Sequence, residues 1–182
     1  MAAPAGAAGA IASAAPAGAD MTTLRRFAVL QLLLAWQGGF LFYTAVVVPA
    51  GTQVLGSAAA QGAITARVTD WLNVLGVAGL LAMAWDMNYA ADRSARRVAA
   101  RWWAWGAATA GQLVLLYVHL LMDALMDPGR TRVVIRPPFY PLHRVYLWAS
   151  TVQWAACLVW LWLTLRAWRG EWESYQAGLI RN

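Results

Sequence analysis

The chain is 182 residues long, 61% hydrophobic and only 12% charged, with a mean hydropathy of +0.50. Soluble domains run at about 45–50% apolar and about 25% charged, so this composition excludes a disordered chain, a disulfide-stapled secreted module and most water-soluble folds. The basic residues, 14 in number, are all arginine and outnumber 8 acids for a net charge of +6; they fall in short groups between apolar runs, a pattern of orientation signals and lipid-phosphate contacts rather than a basic face for nucleic acid.

Residues 1–20 are almost wholly Ala, Gly and Pro and read as a disordered, low-complexity extension. They lack the basic start of a signal peptide. Met21, followed by Arg25 and Arg26, has the look of a natural start with a basic flank. Four apolar runs follow, at about 27–50, 71–91, 102–126 and 143–168. Each meets or exceeds the ~20 residues that cross ~30 Å of hydrocarbon at 1.5 Å per residue. Lipid leaves helices or closed barrels as the only spanning structures, and runs without two-residue alternation choose helices. The first run is too long for a cleaved leader and reads as an uncleaved anchor. The expected fold is all-α: an integral membrane four-helix bundle, up-down-up-down, over 21–170, with a cytoplasmic tail over 171–182.

Orientation follows from arginine bias. Arg25, Arg26, Arg93, Arg96, Arg97, Arg101, Arg166, Arg169 and Arg181 fall on one side; Arg67, Arg130, Arg132, Arg136 and Arg144 fall on the other. The excess places both termini in the cytoplasm and the protein in the cell inner (plasma) membrane. Gly38, Gly39, Gly76, Gly79 and Gly106 with Ala110 offer small surfaces for close helix approach. Gln37, Gln112 and Gln153 each lie roughly ten residues into their runs, near the midplane at 1.5 Å per residue. They read as a layer of interhelical amides worth about 0.6 kcal/mol each, or as the lining of a proton or quinone path.

The topology gathers His119, Asp123, Asp127, Asp70, His143 and Tyr43 at the outer level of the bundle. His119 and Asp123 share a helical face at i, i+4. Asp123 and Asp127 sit where the helix dipole disfavours negative charge, so a nearby cation is expected. It is Arg130, Arg132, Arg136 or Arg144, or a divalent metal held by His119, Asp123, His143 and Asp70, or His119 and His143 ligate a haem. Local roles are also open: Asp127-Pro128-Gly129 as a helix stop, Asp70 with Thr69 as an N-cap, His143 as an interfacial cap. Asp86 and Asp92 beside Arg93, Arg96 and Arg97 read as a solvated ion network. Cys157 reads as a small core residue.

The first span reads Gly38-Gly39-Phe40-Leu41-Phe42-Tyr43, then Val46-Val47-Val48-Pro49. The fourth opens Phe139-Tyr140-Pro141-Leu142-His143-Arg144, with Gln153 further in. These motifs resemble the four-span bacterial membrane family related to transmembrane protein 205. The resemblance implies a four-helix membrane bundle, brings no established catalytic activity, and carries over His143 without a known role. His119 with Asp123, and the Asp127-Pro128-Gly129-Arg130 loop, have no place in that pattern. The chain holds no phosphate loop, nucleophile elbow or zinc-protease motif, so no intrinsic catalysis is read from it. Three functions compete: an accessory or assembly subunit that binds other membrane subunits or itself, a metal- or haem-binding redox protein, and a small oligomeric transporter or proton path.

Overall fold

The computed structural model describes residues 17–180, with side chains described over 20–178. These residues form four long helices and no strand. Helix α1 covers residues 17–55, α2 Ala58–Tyr89, α3 Ala95–Asp123 and α4 Arg136–Ile180. All four are long and apolar enough to cross a membrane. The short connections place the start of α1, the end of α4 and the α2–α3 turn at one end, the terminal end. The α1–α2 and α3–α4 connections lie at the other, the hairpin end. The first sixteen residues of the expected extension lie outside the described residues; 17–20 already belong to α1.

The helices outrun the apolar runs because helix formation does not stop where hydropathy does. Residues 58–70 are Ala-rich and polar, but their propensity is high, and α2 starts at Ser57, whose hydroxyl accepts the Ala60 N–H at 3.3 Å. Asp70 is therefore not an N-cap; it sits more than three turns inside α2. Gly56 ends α1 in the left-handed region (φ 61°), where glycine carries no side-chain penalty. In α4, Pro137 and Pro138 fit the first turn. His143 lies within the helix rather than capping it. The fourth helix also runs through the expected tail to Ile180.

α1 packs along α2, α2 pairs with α3, and α3 with α4 makes the most extensive pairing. Two single π-turns, Leu34–Gly38 and Tyr43–Val47, interrupt α1. Each contains one buried aromatic, Trp36 and Tyr43. An added residue per turn shifts the helix register, and both rings meet α2. Trp36 lies in a notch made by Gly76 and Gly79. A Cβ on Gly79 would stand 2.8 Å from Trp36 Cε3, and one on Gly76 would collide with Gln112 Oε1. Gly79→Ala is expected to lower stability by about 1–3 kcal/mol through overpacking. Gly62→Ala, where a Cβ meets nothing within 4 Å, is expected to be neutral or slightly stabilising. Denaturation midpoints in detergent check both.

The core cluster joins Val29, Leu33 and Trp36 of α1 with Leu80 and Met83 of α2, Ala104 and Ala108 of α3, and Cys157 and Trp160 of α4. Cys157 is 2% exposed and packs as a core residue.

Candidate functional site

Among the described residues, most polar side chains between the helices fall into three tiers. The tier at the terminal end draws on every helix. Asp86 of α2 is fully buried and receives Arg25 Nε of α1 at 3.1 Å and Arg101 Nη2 of α3 at 2.7 Å. Arg101 Nε donates to Thr164 Oγ1 of α4 at 3.0 Å, and its guanidinium lies 5.4 Å from the Trp160 ring centroid. Arg25 Nη1 also reaches the Tyr89 carbonyl at 3.3 Å. The expected solvated network is thereby corrected for Asp86, whose partners are Arg25 and Arg101 rather than Arg93, Arg96 or Arg97. Arg25 and Arg101 are interior groups and not headgroup contacts. Arg26 hydrogen-bonds Glu171 and lies over Trp168.

Asp92, in the α2–α3 turn, does pair with Arg97, by hydrogen bonds of 2.6 and 2.7 Å. Those bonds hold its carboxyl below the ordinary carboxylate range, helped by the Ser94 N–H.

The middle tier contains Gln112 and Gln153 but not Gln37. Gln153 Nε2 donates to Gln112 Oε1 at 2.9 Å and to the Ala108 carbonyl at 3.2 Å; Gln112 Nε2 donates to Asn73 Oδ1 at 3.1 Å. Asn73 takes the place expected for Gln37, whose Oε1 is buried without a hydrogen-bond partner. The π-turn that turns Trp36 into α2 leaves its neighbour Gln37 off the α2–α3–α4 seam. Gln153→Leu is expected to cost about 1 kcal/mol, within the range of interhelical hydrogen bonds in membranes; Gln37→Leu is expected to cost less or to stabilise. Parallel unfolding titrations distinguish the two.

The tier at the hairpin end is the candidate site. Asp70 of α2, His119 and Asp123 of α3 and Arg130 of the α3–α4 connection converge. His119 Nε2 lies 2.8 Å from Asp70 Oδ1 and 3.6 Å from Asp123 Oδ2. Arg130 Nη1 donates to Asp70 Oδ2 at 2.8 Å. Arg130 Nη2 lies 2.9 Å from Asp123 Oδ1, 3.3 Å from Asp70 Oδ1 and 3.1 Å from His119 Nε2. It also donates to the Ala66 carbonyl at 3.1 Å. Hydrogen bonding to Asp70 is the main reason the Arg130 guanidinium holds its proton more firmly than usual. Arginine thus supplies the cation that Asp70 and Asp123 require.

Asp127 builds the loop that delivers Arg130. Its carboxylate accepts the Thr131 and Arg132 N–H groups at 2.6 and 2.8 Å and the Thr131 hydroxyl at 2.7 Å. Arg130 itself adopts φ 56°, a left-handed conformation unusual for a side-chain-bearing residue. Asp127 is a loop-shaping acceptor rather than a member of the cluster, and the Arg132 N–H leads the hydrogen bonds that lower its carboxyl.

Because the Asp127 and Asp92 carboxyls are lowered on folding, their contribution is complete above about pH 4, the ordinary aspartate value. It is lost only as the pH falls through the lower folded values. Hydrogen exchange at the Thr131 amide is expected to stay slow from neutrality to about pH 4 and to accelerate in stronger acid.

His143 is not among the converging donors. Its ring stacks on Phe139, one turn earlier in α4, with centroids 6.2 Å apart. The α4 ring that faces His119 is Tyr146, at 6.4 Å. Tyr43 is also elsewhere: its hydroxyl donates to Thr65 Oγ1 at 3.0 Å and accepts from Gln61 Nε2 at 3.2 Å, tying α1 to α2. Arg93 and Arg96, which the sequence reading uses for orientation, lie at the α2–α3 turn, where Arg93 lines an open groove of about 1010 Å³ against Glu171 and Tyr175.

No family model, curated protein or solved structure matches the chain. The likeness to the transmembrane protein 205-related family rests on its short motifs in α1 and α4.

Proposed function

We propose that this is a multi-pass inner-membrane protein with both termini in the cytoplasm, acting by packing as an accessory or assembly subunit of a larger membrane complex. One observation supports it above the others. The interior polar groups are largely consumed in bonds between the helices, whereas large apolar side chains stand exposed along all four, among them Leu34, Trp71, Leu81, Leu113, Leu120 and Trp162. Such a surface suits lipid and neighbouring helices. The middle tier supports packing over conduction, because its amides bond one another instead of lining a path.

Reporter fusions at each terminus and mass determination after isolation from native membranes in mild detergent test the reading. Cytoplasmic signals from both fusions and a heavier species of fixed stoichiometry are expected. A solitary monomer, also uncrosslinked in intact membranes, overturns the subunit role; opposite signals overturn the topology.

A further inference from the structure

We propose that Asp70, His119 and Asp123 form a binding site for a divalent transition-metal ion of the zinc type, and that Arg130 is a resident cation which the metal displaces. The site goes beyond the packing role and does not depend on it.

The donor atoms of the three residues all lie within 4.8 Å of one another. Tetrahedral zinc with bonds of about 2.0–2.1 Å sets neighbouring donors about 3.3 Å apart. The separations from His119 Nε2, 2.8 Å to Asp70 and 3.6 Å to Asp123, bracket that edge. One imidazole and two carboxylates leave a fourth position for water, a mixed N/O set that zinc and its neighbours accept.

Arg130 Nη2 already marks the point of convergence. It lies 2.9–3.3 Å from one atom of each donor residue. A divalent ion would balance both carboxylates, where the single Arg130 guanidinium balances one.

His119 presents a single nitrogen to both of its partners. Its Nε2 faces an Asp70 oxygen at 2.8 Å, which only accepts, and Arg130 Nη2 at 3.1 Å, which only donates. With a hydrogen on Nε2 the bond to Asp70 is made, and the Arg130 Nη2 hydrogens are taken by Asp123 Oδ1 and the Ala66 carbonyl, so a metal would have to replace a closed set of bonds. A bound metal ion would take the Nε2 lone pair and one oxygen of each carboxylate in place of these bonds. Arg130 can leave because it belongs to the short connection, in a left-handed conformation, and not to a helix.

Cobalt(II), a spectroscopic stand-in for zinc, is titrated into the full chain in detergent, followed by zinc competition. One cobalt per chain with visible absorption bands, displaced by zinc, is expected. Arg130→Ala removes the competitor and is expected to tighten binding by on the order of tenfold or more. His119→Gln, Asp70→Asn and Asp123→Asn are each expected to weaken it by at least about tenfold. Zinc is expected to speed tryptic cleavage after Arg130 several-fold in the native chain and to leave it unchanged in His119→Gln.

Absence of stoichiometric cobalt in the native chain overturns the proposal, even where Arg130→Ala binds it, because the guanidinium is then a permanent occupant. Binding that survives all three ligand substitutions, or that leaves cleavage after Arg130 unaltered, overturns it too. The native and Arg130→Ala titrations decide the matter even if a ligand variant fails to fold.

Discussion

Asp86→Asn is expected to destabilise the bundle by about 3–5 kcal/mol, the cost of removing one member of a buried ion pair. Asp86 has no exposed surface and Arg101 is 2% exposed, so the substitution leaves the Arg101 guanidinium buried, and Arg25 nearly so, without a direct carboxylate partner. The three groups are unequal. With Asp86 they sum to +1, and removal of Arg25 leaves a balanced Asp86–Arg101 pair. Arg25→Ala is therefore expected to cost about 1 kcal/mol or less beyond its lost packing. Arg101→Ala is expected to fall between the two, because it also removes the bond to Thr164 and the contact with Trp160. Glu173→Gln, at an exposed pair with Arg169, is expected to change stability by less than about 0.5 kcal/mol. Denaturation in detergent yields the order Asp86, Arg101, Arg25, Glu173. A simultaneous apolar replacement of Arg25, Asp86 and Arg101 is expected to be neutral or stabilising if the tier serves stability alone. Loss of a single native arrangement in that triple variant would assign the tier to fixing how the four helices align.

The number of helices was legible because each contains a run of roughly twenty apolar residues without the two-residue alternation of a strand. Helix ends were not, because hydropathy locates apolar surface while caps and propensity locate ends. Ser57, Ser94 and Gly56 terminate helices well outside the apolar runs. The shift changed one assignment of chemical consequence: Asp70 moved from a supposed N-cap to a half-exposed position inside α2 that faces His119 of α3.

The hairpin-end cluster was legible to the extent that topology sets depth. His119, Asp123 and Asp70 occupy similar levels on neighbouring helices, and Arg130 was one of four arginines named to neutralise them. His143 shares the depth but not the facing, and facing depends on helix rotation, which chain order does not specify. Gln37 failed for the same reason, as the π-turns of α1 shift register in a way that no composition signal marks. Asp86 was misread because three arginines are near it in sequence, whereas its partners come from α1 and from the second turn of α3. A signal for it existed: a lone carboxylate followed by Met87-Asn88-Tyr89 is still within an apolar stretch, and a charge there requires a cation from another helix.

Trp160→Ala is expected to cost about 3 kcal/mol, and the contrast with Trp162→Ala tests the surrounding solvent as well as the packing. Trp160 has no exposed surface; its indole N–H donates to Met87 Sδ at 3.2 Å and its ring faces Arg101. In water, large-to-small core substitutions of aromatic residues cost about 3–5 kcal/mol through transfer and cavity terms together. Within lipid the transfer term fades, because hydrocarbon outside is as apolar as the core. The lost contacts and the cavity persist, which puts the expected cost at the lower end. Trp160→Phe keeps most of the volume and loses the indole donor, so about 1 kcal/mol is expected. Trp162 is two residues further on and 60% exposed, pointing out of the bundle with Arg166 over its ring. Trp162→Ala creates no cavity and is expected to change stability by less than about 0.5 kcal/mol. Equal losses at positions 160 and 162 would mean that α4 presents both faces to protein, the result expected when a partner subunit covers the face carrying Trp162 in the native membrane but not in the isolated chain.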